Sequence, residues 1–158
     1  MLFDKTDRKI LNILQNDGRI TNAKLAESIG ISPPAMLERV RRLEKAGLIT
    51  RYSAIVDREK TGYELLAIIT VSLGLHQLKS LDSFKNQISK LDEVLECYQV
   101  SGEYDFILKV VLHNIRAYRN FVNEKLAGIE GIQNIKSSFV LDDVKTETKL
   151  YFETETGK

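Results

Sequence analysis

Apolar residues change their spacing near the middle of the chain. Up to residue 47 they recur every three or four positions, the period of a helix face. Ile10, Leu11, Ile13 and Leu14 mark a first helix. Asp4 can cap it, Asp7 adds negative charge to its first turn, and Asn16-Asp17-Gly18 ends it by turn chemistry. Leu25, Ala26 and Ile29 mark a second helix, between a capping Thr21 and Gly30, which can adopt the left-handed stop. Met36, Leu37, Val40 and Leu43 form the inward stripe of a third. Ser32 caps that helix, Pro33 and Pro34 sit in its first turn where no amide donor is needed, and Gly47 closes it. Three such helices can bury one small core.

Beyond residue 62 the pattern is that of β-structure alternating with helix. Leu65 to Leu73 (LLAIITVSL) is an apolar, β-branched run that predicts a buried strand. Leu81, Phe84, Ile88 and Leu91 mark a helix face, and Val94 to Val100 a second strand. Ser101-Gly102-Glu103-Tyr104 is a turn, and Asp105 to Leu112 a third strand with Phe106, Leu108, Val110 and Leu112 on one side. Asn114 caps a helix carrying Tyr118, Phe121, Val122 and Leu126, which Gly128 and Gly131 end. Ile132 to Leu141 is the last strand, and a polar tail from Asp142 contains Leu150, Tyr151 and Phe152. The order β-α-β-β-α-β is that of the ferredoxin-like split unit. One sheet face then needs cover. Ile69, Val71, Leu108 and Val110 are too apolar for open solvent, which predicts a twofold dimer in which a partner sheet buries them. Between the halves, Leu48, Ile49, Tyr52 and Ala54-Ile55-Val56 read as extended chain, either a short wing or an arm that pairs with another subunit. The polar stretch DREKTG, Asp57 to Gly62, is the best boundary.

The outward side of the third helix carries the candidate chemistry. At about 100° per residue, Pro34, Ala35, Glu38, Arg41, Arg42 and Lys45 point away from the stripe, with Arg39 on its flank. A short helix leaning on another through a Gly turn, small at its start and cationic beyond, is a helix-turn-helix arrangement. Pro34, Ala35 and Glu38 would face base edges. Ser32 and the neighbouring amides would hold phosphate, and Arg39, Arg41 and Arg42 would supply cationic contacts. Arg39 can alternatively bridge to an acid within the protein, and the whole helix can also be read as an amphipathic surface helix with Glu38–Arg pairs. Charge is distributed accordingly. Residues 1–56 hold ten Lys or Arg against six Asp or Glu, a charge of +4, and the remainder carries −3. A basic front and an acidic back suggest that only the front meets a polyanion.

The 43% hydrophobic and 28% charged content of the 158 residues is ordinary for a soluble globular protein. No early apolar run follows a basic start, no stretch is long enough to span a bilayer, and a single cysteine, Cys97, cannot form an intramolecular disulfide, so the expected compartment is the cytoplasm. Cys97 falls in an apolar strand pattern that predicts a buried structural thiol. The two histidines, His76 and His113, have no metal-ligand spacing, and no phosphate loop or GxGxxG is present, so the reading is of a non-enzyme with no cofactor and no metal.

Several blocks in order, DGRIT, LAESIGISP, LERVRRLEKAGLI and YSAIVD in the front half, SGEYDFIL and SSFVLDDVK in the back, make the chain resemble the Lrp/AsnC (feast/famine) family of transcriptional regulators over nearly its whole length. The resemblance implies an α+β chain. Residues 1–56 would be a winged helix-turn-helix DNA-binding domain with a strand-like arm, 57–64 a linker, and 65–158 a ferredoxin-like effector-binding and oligomerisation domain. The family's helix-turn-helix falls on Asn22 to Arg41, so Asn22 joins the candidate contacts. The resemblance further implies double-stranded DNA and a free amino acid as partners, no membrane, and a homodimer that usually assembles further, often to an octamer. The effector pocket would lie at Ser101, Gly102, Glu103, Tyr104 and Asp105, joined by Ser137 and Ser138 of a neighbouring subunit. The residues of that turn fit the role. Gly102 lets backbone approach a ligand, free amides can hold a carboxylate, and Asp105 offers the opposite charge to an ammonium group. Asp105 can equally serve the turn alone, and Tyr104, like Tyr98, reads first as a packing residue. The recognition helix opens on Pro33-Pro34-Ala35-Met36, so its base preference cannot be borrowed from a relative. The alternative function is an amino-acid-binding oligomeric module without specific DNA binding.

Overall fold

Two apolar cores organise the chain. The computed structural model describes residues 4–74 and 78–154, and His76 lies outside them. One compact unit is Met1–Ile55 together with Lys145–Lys158, and the other is Val56–Val144.

The front unit is built from α1 (Lys5–Asn16), α2 (Asn22–Ile29) and α3 (Pro33–Lys45). Each start is fixed by the residue the local sequence provides. Asp4 accepts from the amide of Asp7 while Asp7 accepts from that of Asp4, a reciprocal capping box. Thr21 and Ser32 cap α2 and α3 through Lys24 and Ala35. Gly30 stops α2 at φ 81°, a left-handed conformation that a side chain would strain. Ile10, Leu11, Leu25, Ala26, Met36 and Leu43 form the core, each large side chain contributing about 1.5–3 kcal/mol on burial. Leu37, expected in the inward stripe, is 40% exposed, whereas Met36 and Leu43 carry the buried side of α3 with Val40 packed against the core. The stretch expected as a wing or arm joins no ladder within the chain among the described residues: Tyr52 is tied to α3 by its hydroxyl, which donates to Glu44 at 3.0 Å, and Ile55 is 92% exposed.

The rear unit is a four-stranded antiparallel sheet in the order β2-β3-β1-β4, with β1 Leu65–Leu73, β2 Val94–Gln99, β3 Phe106–Leu112 and β4 Ile132–Phe139. Helix α4 (Leu78–Ile88) and helix α5 (Ile115–Asn120) connect them; α5 runs on as a π-helical segment, Phe121–Leu126. The segment is no single α-helix as its apolar spacing implies, and Asn114 caps it as expected, accepting from Ala117.

Strand alternation decides which face is covered. Ala67, Ile69, Val71, Leu108 and Val110 are fully buried, beneath Phe84 and Ile88 of α4 and Phe121 and Leu126 of the π-helical segment. Contrary to expectation, Ile69, Val71, Leu108 and Val110 need no partner sheet, since the chain's own helices cover them. The opposite face carries Leu66, Ile68, Thr70, Ile107, Lys109 and Val111, by the pairings Leu66–Val111, Ile68–Lys109 and Thr70–Ile107. Cys97 is also not buried: it is exposed on the sheet-edge strand β2.

Asp57 to Gly62 is a hydrogen-bonded turn. Asp57 accepts from the amides of Glu59 and Lys60, Gly62 has φ 87°, and Gly62's carbonyl lies 2.8 Å from His113 Nδ1. The His113 ring stacks on Tyr63 with centroids 4.2 Å apart.

Candidate nucleic-acid interface and effector turn

The small start of α3 is presented outward. Ser32, Pro34, Ala35 and Glu38 are exposed, while Met36 between them is fully buried and holds the helix down. Asn22, at the start of α2, donates to the carbonyl of Pro33 at 2.8 Å and so fixes the angle at which α3 begins. That bond uses one of the two Asn22 amide hydrogens within the protein.

The three arginines divide. Arg39 donates through Nη1 to Asp4 at 2.7 Å and to Asp7 at 2.8 Å, the internal bridge that its flank position allows. Arg42 donates through Nη2 to Asp7 at 2.6 Å, with its side chain still 49% exposed. Asp7 itself is 2% exposed. A buried carboxylate therefore clamps two cations of α3 onto α1, and nothing in local sequence pattern reveals it, because the partners are 32 and 35 residues apart. The pairing holds the carboxyl of Asp4 below its ordinary range, first through the amide of Asp7 and then through Arg39, and raises Arg39 in return. Arg41 is exposed and forms no ion pair among the described residues.

In the rear unit, the turn Ser101 to Asp105 joins β2 to β3. Gly102 has φ 134°, and a Cβ there would meet nothing within 4 Å, so its conformation rather than crowding calls for glycine. Asp105 is firmly placed: its amide donates to the carbonyl of Val71 at 3.0 Å, and its Oδ2 accepts from the amide of Leu73 at 2.7 Å. The β1–β3 ladder ends at Val71–Phe106, and the Leu73 amide just beyond it takes this side-chain oxygen as its partner. One carboxylate oxygen thus serves the sheet, and the other is left without a partner among the described residues. Lys136 Nζ approaches the Tyr104 hydroxyl at 3.5 Å, bringing beside the turn a cation that no local pattern singles out.

Ser137 and Ser138 pair with Ile69 and Ile68 respectively, so they lie on opposite faces of the sheet. The buried Ser137 Oγ has no hydrogen-bond partner among the described residues. A groove of about 380 Å³ opens away from the tip of the turn, between the end of α4 and the edge of β2, where Lys85, Ile88, Cys97, Gln99 and Phe106 are among its walls.

A capped reading helix in one unit and a β-α-β-β-α-β domain in the other define a DNA-binding regulator with a separate ligand domain. Comparison with known proteins agrees for each part: residues 3–50 match the winged helix-turn-helix DNA-binding domain, and residues 66–150 the Lrp/AsnC ligand binding domain. The chain belongs to the Lrp/AsnC family of transcriptional regulators, which are not enzymes. It is 36% identical over 152 residues to the leucine-responsive regulatory proteins of Escherichia coli K12 and of Klebsiella pneumoniae, covering 96% of this chain and 93% of each relative. Among solved structures it resembles a transcriptional regulator of Neisseria meningitidis in complex with L-Met, at 37% identity and a TM-score of 0.90, covering 94% of this chain and 96% of that one. It also resembles AsnC of Escherichia coli, at 31% identity and a TM-score of 0.87, covering 94% and 99%. No described helix is long and apolar enough to cross a membrane.

Proposed function

We propose that this regulator works in the cytoplasm as a homodimer that assembles further, to an octamer, and reads duplex DNA with α3. In this reading Pro34, Ala35 and Glu38 face base edges, Ser32 and its neighbouring amides hold phosphate, and Arg41 makes the principal cationic contact. Arg42 contributes from its exposed side while remaining tied to Asp7, and Arg39 and Asn22 act mainly by placing α3. The observation that carries the proposal is the exposed, small-then-cationic face of a helix whose other face is locked by Met36, Leu43 and the Asp7 clamp. The segment 50–56, which joins no ladder among the described residues and leaves Ile55 and Val56 open to solvent, supports pairing between two copies, and the mixed face of Ile68, Thr70, Ile107 and Lys109 offers a second contact surface.

A free amino acid binds at Ser101 to Asp105 with Ser137 or Ser138 from a neighbouring subunit, and it shifts assembly or DNA affinity by binding one state better than another. The unpartnered Asp105 oxygen would receive the α-ammonium group. The turn amides, with Lys136 nearby, would receive the carboxylate. The L-Met complex of the Neisseria meningitidis regulator and the leucine response named for the enteric relatives support an amino-acid ligand. The test is Asp105→Asn, which keeps an oxygen to accept from Leu73 but removes the charge. It should fold and bind DNA as the parent does while losing its response to the amino acid that shifts the parent. An unchanged response would remove Asp105 from recognition. For the reading helix, Arg41→Ala should flatten the salt dependence of DNA binding by a slope of about one.

A further inference from the structure

The last described residues lie on α1 with specific geometry. Asn12 and Gln15 stand three positions apart, on one face of the helix. Gln15 accepts from the amide of Leu150 at 2.7 Å and donates to its carbonyl at 2.9 Å. Asn12 treats Phe152 in the same way, donating to its carbonyl at 2.8 Å and accepting from its amide at 3.3 Å. Arg8 donates to the carbonyl of Glu153 at 3.2 Å. Alternate residues of an extended strand present both main-chain groups to one side, and two side-chain amides here take the place of a partner strand. The Phe152 side chain packs on the front core, while Leu150 and Tyr151 are 68% and 85% exposed. Recognition thus runs through the main chain and one apolar anchor.

We infer that this face of α1 is a docking site for the chain's own C-terminal segment, and that the docked segment is a second tether on the reading head. The chain passes between its two units twice, at residues 55–56 and 144–145. The first passage is strand-free, residues 53–56 joining no ladder among the described residues, so by itself it is a flexible link. The two passages leave the rear unit from one clasp, in which Arg58 donates to Asp143 at 3.1 Å and to the carbonyls of Tyr63 and Glu64. Closing the second connection turns a single flexible link into a loop, which reduces the orientations open to the head and raises its effective concentration at a second half-site. The same helix carries Asp7 and is capped by Asp4, so the tail grips the element that holds Arg39 and Arg42 of α3. The consequence for DNA rests on the two-headed reading proposed above, whereas the docking itself does not.

Two variants test the inference, Asn12→Ala/Gln15→Ala and a chain ending at Thr148. Hydrogen exchange over residues 149–154 of the full-length protein should show protected amides at Leu150 and Phe152, lost in the double variant. Unprotected amides in the parent would overturn the docking whether or not the protein binds DNA. With a DNA fragment carrying two half-sites, both variants should bind about three- to tenfold more weakly than the parent, and with a single half-site equally well. A synthetic peptide of residues 149–154 added to the shortened chain should not restore the lost affinity. Undiminished two-site affinity, an equal loss on both fragments, or rescue by the free peptide would each overturn the tether.

Discussion

Replacing Asp7 should damage the front unit more than any other single change to its charged residues. Its carboxylate is 2% exposed and accepts from Arg39, from Arg42 and from the amide of Asp4. A hydrogen bond to a charged group is worth about 1.5–3 kcal/mol, so the two arginine contacts set a gross figure of about 3–6 kcal/mol. Two features reduce it. The arginine side chains are 29% and 49% exposed, so water takes over part of their solvation, and Arg39 keeps Asp4 at 2.7 Å. The net expectation for Asp7→Ala is a loss of about 2–4 kcal/mol, a large share of a small unit's stability. Asp7→Asn, which retains the shape and one acceptor, should lose about half of that. Asp4 is 51% exposed, and Asp4→Asn should cost below about 1 kcal/mol from the ion pair. Urea unfolding of the four proteins, followed by circular dichroism in the helix band, measures all of these. Asp7→Ala within about 0.5 kcal/mol of the parent, or Asp4→Asn as costly as Asp7→Ala, would refute the clamp as the main polar tie between α1 and α3.

Asp4 also gives the unit a defined acid response. Its folded pKa is depressed below 3.8, so its contribution is complete at pH values above that and is lost as the pH falls through the folded value; Arg39→Met should narrow the effect in an acid titration followed by NMR. Tyr52, partly withdrawn from water and bonded to Glu44 at 3.0 Å, has its phenol pushed up to about 12, and NMR titration of Glu44→Gln should bring it down while leaving it above 10. Leu108→Ala should weaken the rear unit by about 2–5 kcal/mol in thermal or urea unfolding because that side chain is sealed under the helices, whereas Ile107→Asp on the opposite face should be read chiefly in light scattering as weakened assembly.

The parts of the fold visible in the sequence are those decided locally. Asp4, Thr21, Ser32 and Asn114 cap the helices expected of them, because a cap requires only a side chain and an amide two or three residues on. Gly30 stops α2 for a reason equally local. The strands were legible from their apolar runs, and the facing of the sheet was not: alternation separates Ile69 from Ile68 without saying which side the chain's own helices occupy. The same holds for the polar ties. Asp7 with Arg42, Asp105 with the Leu73 amide, and Gln15 with Leu150 join residues 35, 32 and 135 positions apart, and no spacing rule connects them. Asp105 shows the effect on a site residue. Its position beside Gly102 suggested a ligand contact, and the folded chain adds a structural bond to the same carboxylate.

The central claim, DNA binding that answers to a free amino acid, is tested most directly on the intact protein. Duplexes selected by it from a random pool should converge on a motif with two half-sites about one helical turn apart, or a multiple of that. Fluorescence anisotropy on the selected duplex, repeated with each of the twenty amino acids, should then find at least one that moves the affinity severalfold, a coupling of about 1–3 kcal/mol. A pool that never converges, or an affinity and an assembly state that no amino acid alters, would contradict the account.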